Sequence, residues 1–207
     1  NIQISLDGLG WQHDIFRNQV GAFEQAVKAI RILKQHKVDT TLSFCPNKYN
    51  HSSFLQYVQF VNGLKCNSIR MMPLTPIGRG GTNFKDLKLT ERESYNFVQS
   101  IYTANNLFPK ISISWGDPLN YMYRLLLNRR VTPMVLGILS NGDLTVTPYL
   151  NITVGNVRKH KLEDYWRGGI NKAYRNDIIV NTIKKYITLE DLLRYSDTDR
   201  IIDMLEN

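Results

Sequence analysis

Apolar and polar residues alternate over Ile2-Gln3-Ile4-Ser5-Leu6, a strand pattern that stops at Asp7-Gly8. From Gly21 to His36 the period changes, with Phe23, Ala26, Val27, Ile30 and Leu33 at helical spacing. Val38 to Phe44 is rich in β-formers and halts at Pro46-Asn47. Phe54, Tyr57, Val58, Val61 and Leu64 then mark a second amphipathic helix ending near Gly63. Ser68-Ile69-Arg70-Met71-Met72 predicts a third strand, closed by Pro73 and a loop over residues 76–81. Thr90 and Glu93 form a capping-box pair opening a third helix that carries Phe97, Val98, Ile101 and Tyr102. A fourth strand follows at Ile111-Ser112-Ile113-Ser114. Strands alternating with helices predict βαβ units and a parallel sheet. Both an open doubly wound sheet and part of a β/α barrel fit this order.

The pattern changes near residue 130. Gly137 to Thr147 places strand residues on either side of Asn141-Gly142, a hairpin signal, and Gly155-Asn156-Val157 gives another short extended piece. Lys161 to Ala173 reads as a helix with Leu162, Tyr165 and Trp166 on one side. Helices over 178–186 and 188–193 close the chain, the latter with a cap-like Thr188–Asp191 start. A boundary at 128–133 is predicted, dividing an α/β part (1–130) from a small α+β module (131–207).

Composition narrows the classes. With 43% hydrophobic and 21% charged residues, the 207-residue chain is globular rather than disordered. No apolar run reaches the ~18 residues of a spanning helix, and the start is not a signal peptide, so no membrane role and a cytoplasmic location are expected. The chain opens without Met and inside a strand pattern, which points to a piece of something longer. Basic residues (26) exceed acidic ones (18), giving +8, but they are scattered and read as a solvated surface. Cys45 and Cys66 form neither a disulfide framework nor a CxxC metal pair; two buried thiols in a reducing compartment are expected.

Candidate chemistry gathers where strands end. Ser5 and Asp7 close the first strand, and polar side chains at carboxyl ends of parallel strands face the ligand site; an Asp there also serves as a turn or cap residue. Met71 to Gly81 is a Pro- and Gly-rich loop whose apolar side chains suit a flat ring. Gly78, Gly80 and Gly81 around Arg79 offer backbone N–H groups to an anion, a weak signal without a P-loop Lys. His13, His36, His51 and His160 have no second ligand at metal spacing; for His13-Asp14 a loop hydrogen bond is favoured over a proton-transfer pair. Asp117 before Pro118 reads as a turn, with a substrate-facing role as the alternative.

These residues resemble a known family. Ile2-Gln3-Ile4-Ser5-Leu6-Asp7-Gly8 with His13-Asp14, Phe16-Arg17 and Gly21-Ala22-Phe23 is similar to the middle of radical S-adenosylmethionine (SAM) enzymes with SPASM or twitch-type extensions, the branch of PQQ-pathway, sulfatase-maturing and peptide-maturing enzymes. Met71 to Gly81 resembles the sixth barrel strand and its loop. Gly142-Asp143 to Pro148, with Gly155-Asn156-Val157 and Leu162 to Trp166, resembles the extension. The resemblance implies an α/β fold: the second half of a partial (β/α) barrel with parallel strands, followed by a small α+β SPASM-like hairpin module. It implies cofactor contacts from Ser5 to the SAM ribose or carboxylate, from Asp7 at the same mouth, and from Met72 and Leu74 to adenine.

Three departures shape the expected function. The family's CxxxCxxC loop for its [4Fe–4S] cluster is missing, so no catalytic or metal residue is assigned and this chain alone is expected to be inactive and to retain no cofactor. Gln25 stands where the family often has an Arg for the SAM carboxylate, and a neutral amide cannot form that charged fork. Thr147 stands where an auxiliary-cluster cysteine is expected. The implied parent cleaves SAM reductively to a 5′-deoxyadenosyl radical for peptide or protein modification, with SAM and one [4Fe–4S] cluster as cofactors. A non-catalytic peptide- or partner-binding module degenerated from the family is the alternative. Nucleic acid is set aside for lack of aromatic-basic interleaving, and dimerisation through an exposed first strand is expected.

Overall fold

The computed structural model describes residues 1–77, 79–127, 136–150, 152–194, 200–201 and 203–205. They fall into two compact units, Asn1–Leu74 with Asn83–Asp117, and Thr75–Thr82 with Pro118–Asn207. The predicted boundary at 128–133 lies outside the described residues, as does Gly78.

The first unit is a four-stranded parallel sheet with helices between its strands. β1 (Ile2–Ser5) leads through α1 (Trp11–Arg17) and α2 (Ala22–Gln35) to β2 (Thr40–Phe44). α3 (Phe54–Gly63), preceded by a 3-10 turn at His51–Ser53, leads to β3 (Ser68–Met71). α4 (Arg79–Leu87), of which Asn83 onward belongs to this unit, and α5 (Glu91–Leu107) precede β4 (Ser112–Trp115). The strand order is β1-β2-β3-β4, every neighbour parallel. The order never reverses, so the sheet lacks the switch point of a doubly wound fold.

Register explains which side is the core. Ile4 pairs with Leu42, Leu42 with Ile69, and Ile69 with Ile113, one apolar row across four strands. It packs with Ile30, Phe54, Tyr57, Val58 and Phe97 from the helices. Burying side chains such as Leu42, Ile69 and Phe44 stabilises the fold by about 1.5–3 kcal/mol each. α5 starts as its sequence requires: the Thr90 hydroxyl accepts the Glu93 N–H, and the Glu93 carboxylate accepts the Thr90 N–H at 2.7 Å.

In the second unit, α6 (Pro118–Leu127) is followed by the hairpin β5 (Gly137–Ile138) and β6 (Asp143–Thr145). β7 (Ile152–Thr153) and β8 (Gly155–Asn156) come next, and β8 pairs antiparallel with β6. Then follow α7 (Leu162–Arg167), a 3-10 segment at Ile170–Arg175, α8 (Asp177–Ile183), α9 (Leu189–Arg194) and β9 (Arg200–Ile201), which pairs with β7. The single helix expected over 161–173 breaks instead at Gly168-Gly169, where Gly169 has φ +104°. Tyr165 and Tyr174 are wholly buried at the centre of this unit. Among the described residues no helix is long and apolar enough to cross a membrane.

Candidate functional site

All four strands of the sheet end on one side, and the predicted residues lie there. Ser5 is the last residue of β1, half-buried and registered beside Ser43. Asp7 follows two residues later; Met72 and Leu74, both half-buried, follow the end of β3. The Met72 N–H bonds the Phe44 carbonyl at 3.2 Å, continuing the β2–β3 pairing into the rim. Gln25 is exposed on α2.

Asp7 is 1% exposed and its carboxylate is fully engaged by the protein. One oxygen accepts the Cys45 N–H at 2.8 Å, and the other pairs with the Arg17 guanidinium. Burial pushes its pKa above the ordinary aspartate range, against the opposing pull of Arg17 and of the Cys45 amide. Its own N–H donates to His13 Nδ1 at 2.9 Å, which fixes His13 with its proton on Nε2. Burial lowers the His13 pKa and keeps the ring neutral. Asp14, next in sequence, turns instead toward α2. It accepts the Gly21 and Phe23 N–H groups at 2.8 Å each, satisfying free donors at the start of that helix, and those bonds lower its pKa. His13 and Asp14 therefore form no pair with each other. They lie on α1, a helix, rather than in the expected loop.

Three buried amides that the sequence reading missed hold the rim together. Asn50 donates to the Asp7 and Cys45 carbonyls at 2.7 and 2.9 Å and accepts the Asn47 N–H. Asn47 donates to the Cys45 carbonyl. Gln12 joins the Leu9 N–H to the Tyr49 carbonyl and Ser53. Asn47 and Asn50 follow Pro46 in an Asn-rich turn, the one signal that marked them. Gly8 fits because φ is +141° and a Cβ would meet the Gln12 Cβ at 2.7 Å.

Gly80 and Gly81 belong to α4, so the loop predicted over 76–81 is shorter than expected. Asp117 is half-buried two residues after the end of β4. Thr147 is buried and its hydroxyl accepts the Tyr149 N–H at 3.3 Å.

The sheet's other face is polar. Ser5, Ser43, Arg70 and Ser114 form one transverse row, and Gln3, Thr41, Ser68 and Ser112 the next. A parallel sheet is ordinarily covered by apolar layers on both faces. Here one face offers hydroxyls, the Gln3 amide and a single guanidinium, which suits a polar ligand.

An iron–sulfur cluster does not fit the described residues. The thiol of Cys45 is pushed up to about 12 by burial and by Asp7, and burial also raises Cys66, so neither is a ready thiolate. Among the described residues no three His, Cys, Asp or Glu side chains gather as a metal site.

No known family profile matches the chain. It is 29% identical over 82 residues to pre-heme d1 synthase of Dinoroseobacter shibae, covering 40% of this chain and 20% of that protein. It is 25% identical over 189 residues to AdoMet-dependent heme synthase of Oleidesulfovibrio alaskensis, covering 79% of this chain and 47% of that protein. Both are radical SAM enzymes, and the similarity supports a radical SAM relationship for this chain. The chain spans at most about half the length of these curated relatives.

Proposed function

We propose that this chain is the SAM- and substrate-binding half of a radical SAM enzyme whose iron–sulfur cluster is held by another polypeptide segment. The observation that carries the reading is a parallel sheet without order reversal whose carboxyl rim presents Ser5, Met72 and Leu74 beside a polar face, in a chain similar to two radical SAM synthases. In this reading the Ser5 hydroxyl bonds the ribose or carboxylate of SAM, and Met72 and Leu74 cover the adenine. Asp7 acts as a positioning residue: its bonds to Cys45, His13 and Arg17 fix the rim on which Ser5 stands. A cluster held on that other segment would supply the electron for SAM cleavage; of the two cofactors this chain would keep only the contacts to SAM, where its sequence alone led to an expectation of none retained.

The second unit is proposed as a cluster-free SPASM-like module, and a cytosolic location is proposed, in which its two thiols stay reduced. For the substrate, a carboxylate-bearing heme precursor is favoured by the names of the two relatives. A peptide, as in the SPASM branch, is the second reading, supported by the likeness of the Gly155-Asn156 segment to that extension. Anaerobic assay for 5′-deoxyadenosine tests the division of labour. The chain alone should yield none after iron and sulfide reconstitution, and should yield it when the segment bearing the cluster cysteines is supplied. Continued failure with that segment present would leave a non-catalytic binding module.

A further inference from the structure

We infer that Arg70, flanked by Ser43 and Ser114, is the subsite for a carboxylate of the substrate; this rests on the proposed function and names the substrate chemistry of the same face. Arg70 is exposed, one residue before the end of β3, in the transverse row nearest the carboxyl rim. Its guanidinium has no hydrogen-bond or ion-pair partner among the described residues. Neither polar row contains an acid, so the face carries one uncompensated positive charge. The Asp7 carboxylate at the rim is occupied by Arg17 and the Cys45 amide.

The geometry selects the ligand class. Strands lie about 4.8 Å apart, which sets a serine hydroxyl on each side of the Arg70 stem. A guanidinium offers paired N–H donors in a plane, the match for a carboxylate, and the Ser43 hydroxyl can donate to a remaining lone pair, while the Ser114 hydroxyl donates to the Ile69 carbonyl at 3.5 Å. Gln25, by contrast, lies exposed on α2 and carries no charge. A free Arg among small hydroxyls on a sheet face is an acceptor-hungry group held in an open polar layer. Among carboxylate sources a tetrapyrrole side chain is favoured, because both relatives are named for heme-type products.

The probe is mesoporphyrin, with two free carboxylates, compared with its dimethyl ester, by fluorescence titration of the 207-residue chain. The native chain should bind the acid about tenfold more tightly than the ester, the scale of one charge-assisted pair. Arg70→Gln should abolish that preference and Arg70→Lys should keep part of it, with circular dichroism unchanged. A second arm uses an acidic peptide and its fully amidated form. An Arg70-dependent preference there, without one for the porphyrin, would overturn the tetrapyrrole source. No Arg70-dependent preference in either arm would overturn the subsite. SAM affinity serves as the independent readout: it should be equal in the native and Arg70→Gln chains, and a parallel loss would overturn assignment to the substrate. Absence of SAM binding with the acid preference intact would remove the proposed function and leave the carboxylate site standing.

Discussion

The main-chain N–H of Asp7 points at Nδ1 of His13, 2.9 Å away, so the end of β1 is tied to the first turns of α1 by a bond that only an unprotonated ring nitrogen can accept. The Asp7 carboxylate meanwhile reaches Arg17 one turn further along the same helix. Residues that look like an acid, a base and a cation at catalytic spacing thus act first as a brace for the rim.

This brace predicts a pH dependence. The His13 pKa is lowered in the fold, so the unfolded chain takes up a proton first as pH falls below the ordinary histidine value of about 6.5. Stability is therefore present above that value and lost below it. His13→Asn, which retains an acceptor but does not titrate, should flatten the fall in melting temperature between about pH 7 and 5. An unchanged slope would contradict the neutral assignment.

Glu93 adds a second loss of the same sign at lower pH. Its carboxyl is lowered to about 2, chiefly by the Thr90 N–H and then by the Thr90 hydroxyl. The contribution is present above the ordinary glutamate range and lost as pH falls toward about 2. The stability gap between native and Glu93→Gln chains should be widest at neutral pH and close in acid. A gap independent of pH in chemical denaturation would refute this.

Two glycines are fixed by shape. Gly8→Ala places a Cβ at φ +141° against the Gln12 Cβ and should cost about 1–3 kcal/mol in urea unfolding. Gly155→Ala would overlap the Tyr165 ring, whose hydroxyl also accepts the Asn156 N–H at 2.9 Å. It should destabilise by a similar amount, about 1–3 kcal/mol, through overpacking. The Gly155-Asn156 pair and Tyr165 on α7 are one packing unit, which explains why they stand at that spacing. Native-like midpoints in either variant would contradict the close approach.

β1 is an edge strand, with Ile2 44% exposed. The N–H groups of Ile2 and Leu6 point to β2, so by alternation that of Gln3 points away from it. If the chain self-associates through this edge, Gln3→Pro should shift sedimentation toward monomer while leaving the β1–β2 bonds intact. Equal sedimentation of both chains as dimers would place any interface elsewhere.

Much of this architecture was legible from periodicity. The alternation at residues 2–6 and the helical spacing of Phe23, Val27 and Ile30 mark elements that bury one face, and Thr90–Glu93 is a local bond pattern. α1 escaped because it is short, has no side-chain cap and exposes Trp11 and Ile15. α6 escaped because Asp117-Pro118 reads as a turn, whereas Pro118 is a first helical residue, where its missing donor costs nothing. The roles of Gln12, Asn47 and Asn50 depend on partners far along the chain, which no local pattern encodes. The polar rows likewise exist only once register aligns Ser5, Ser43, Arg70 and Ser114.

Equilibrium dialysis of the chain against SAM, with Ser5→Ala alongside, addresses the central claim most directly. Saturable binding that weakens about fivefold in the variant, the worth of roughly one neutral hydrogen bond, is the predicted result. No saturable binding, or equal affinity with and without the Ser5 hydroxyl, would contradict a SAM site on this rim.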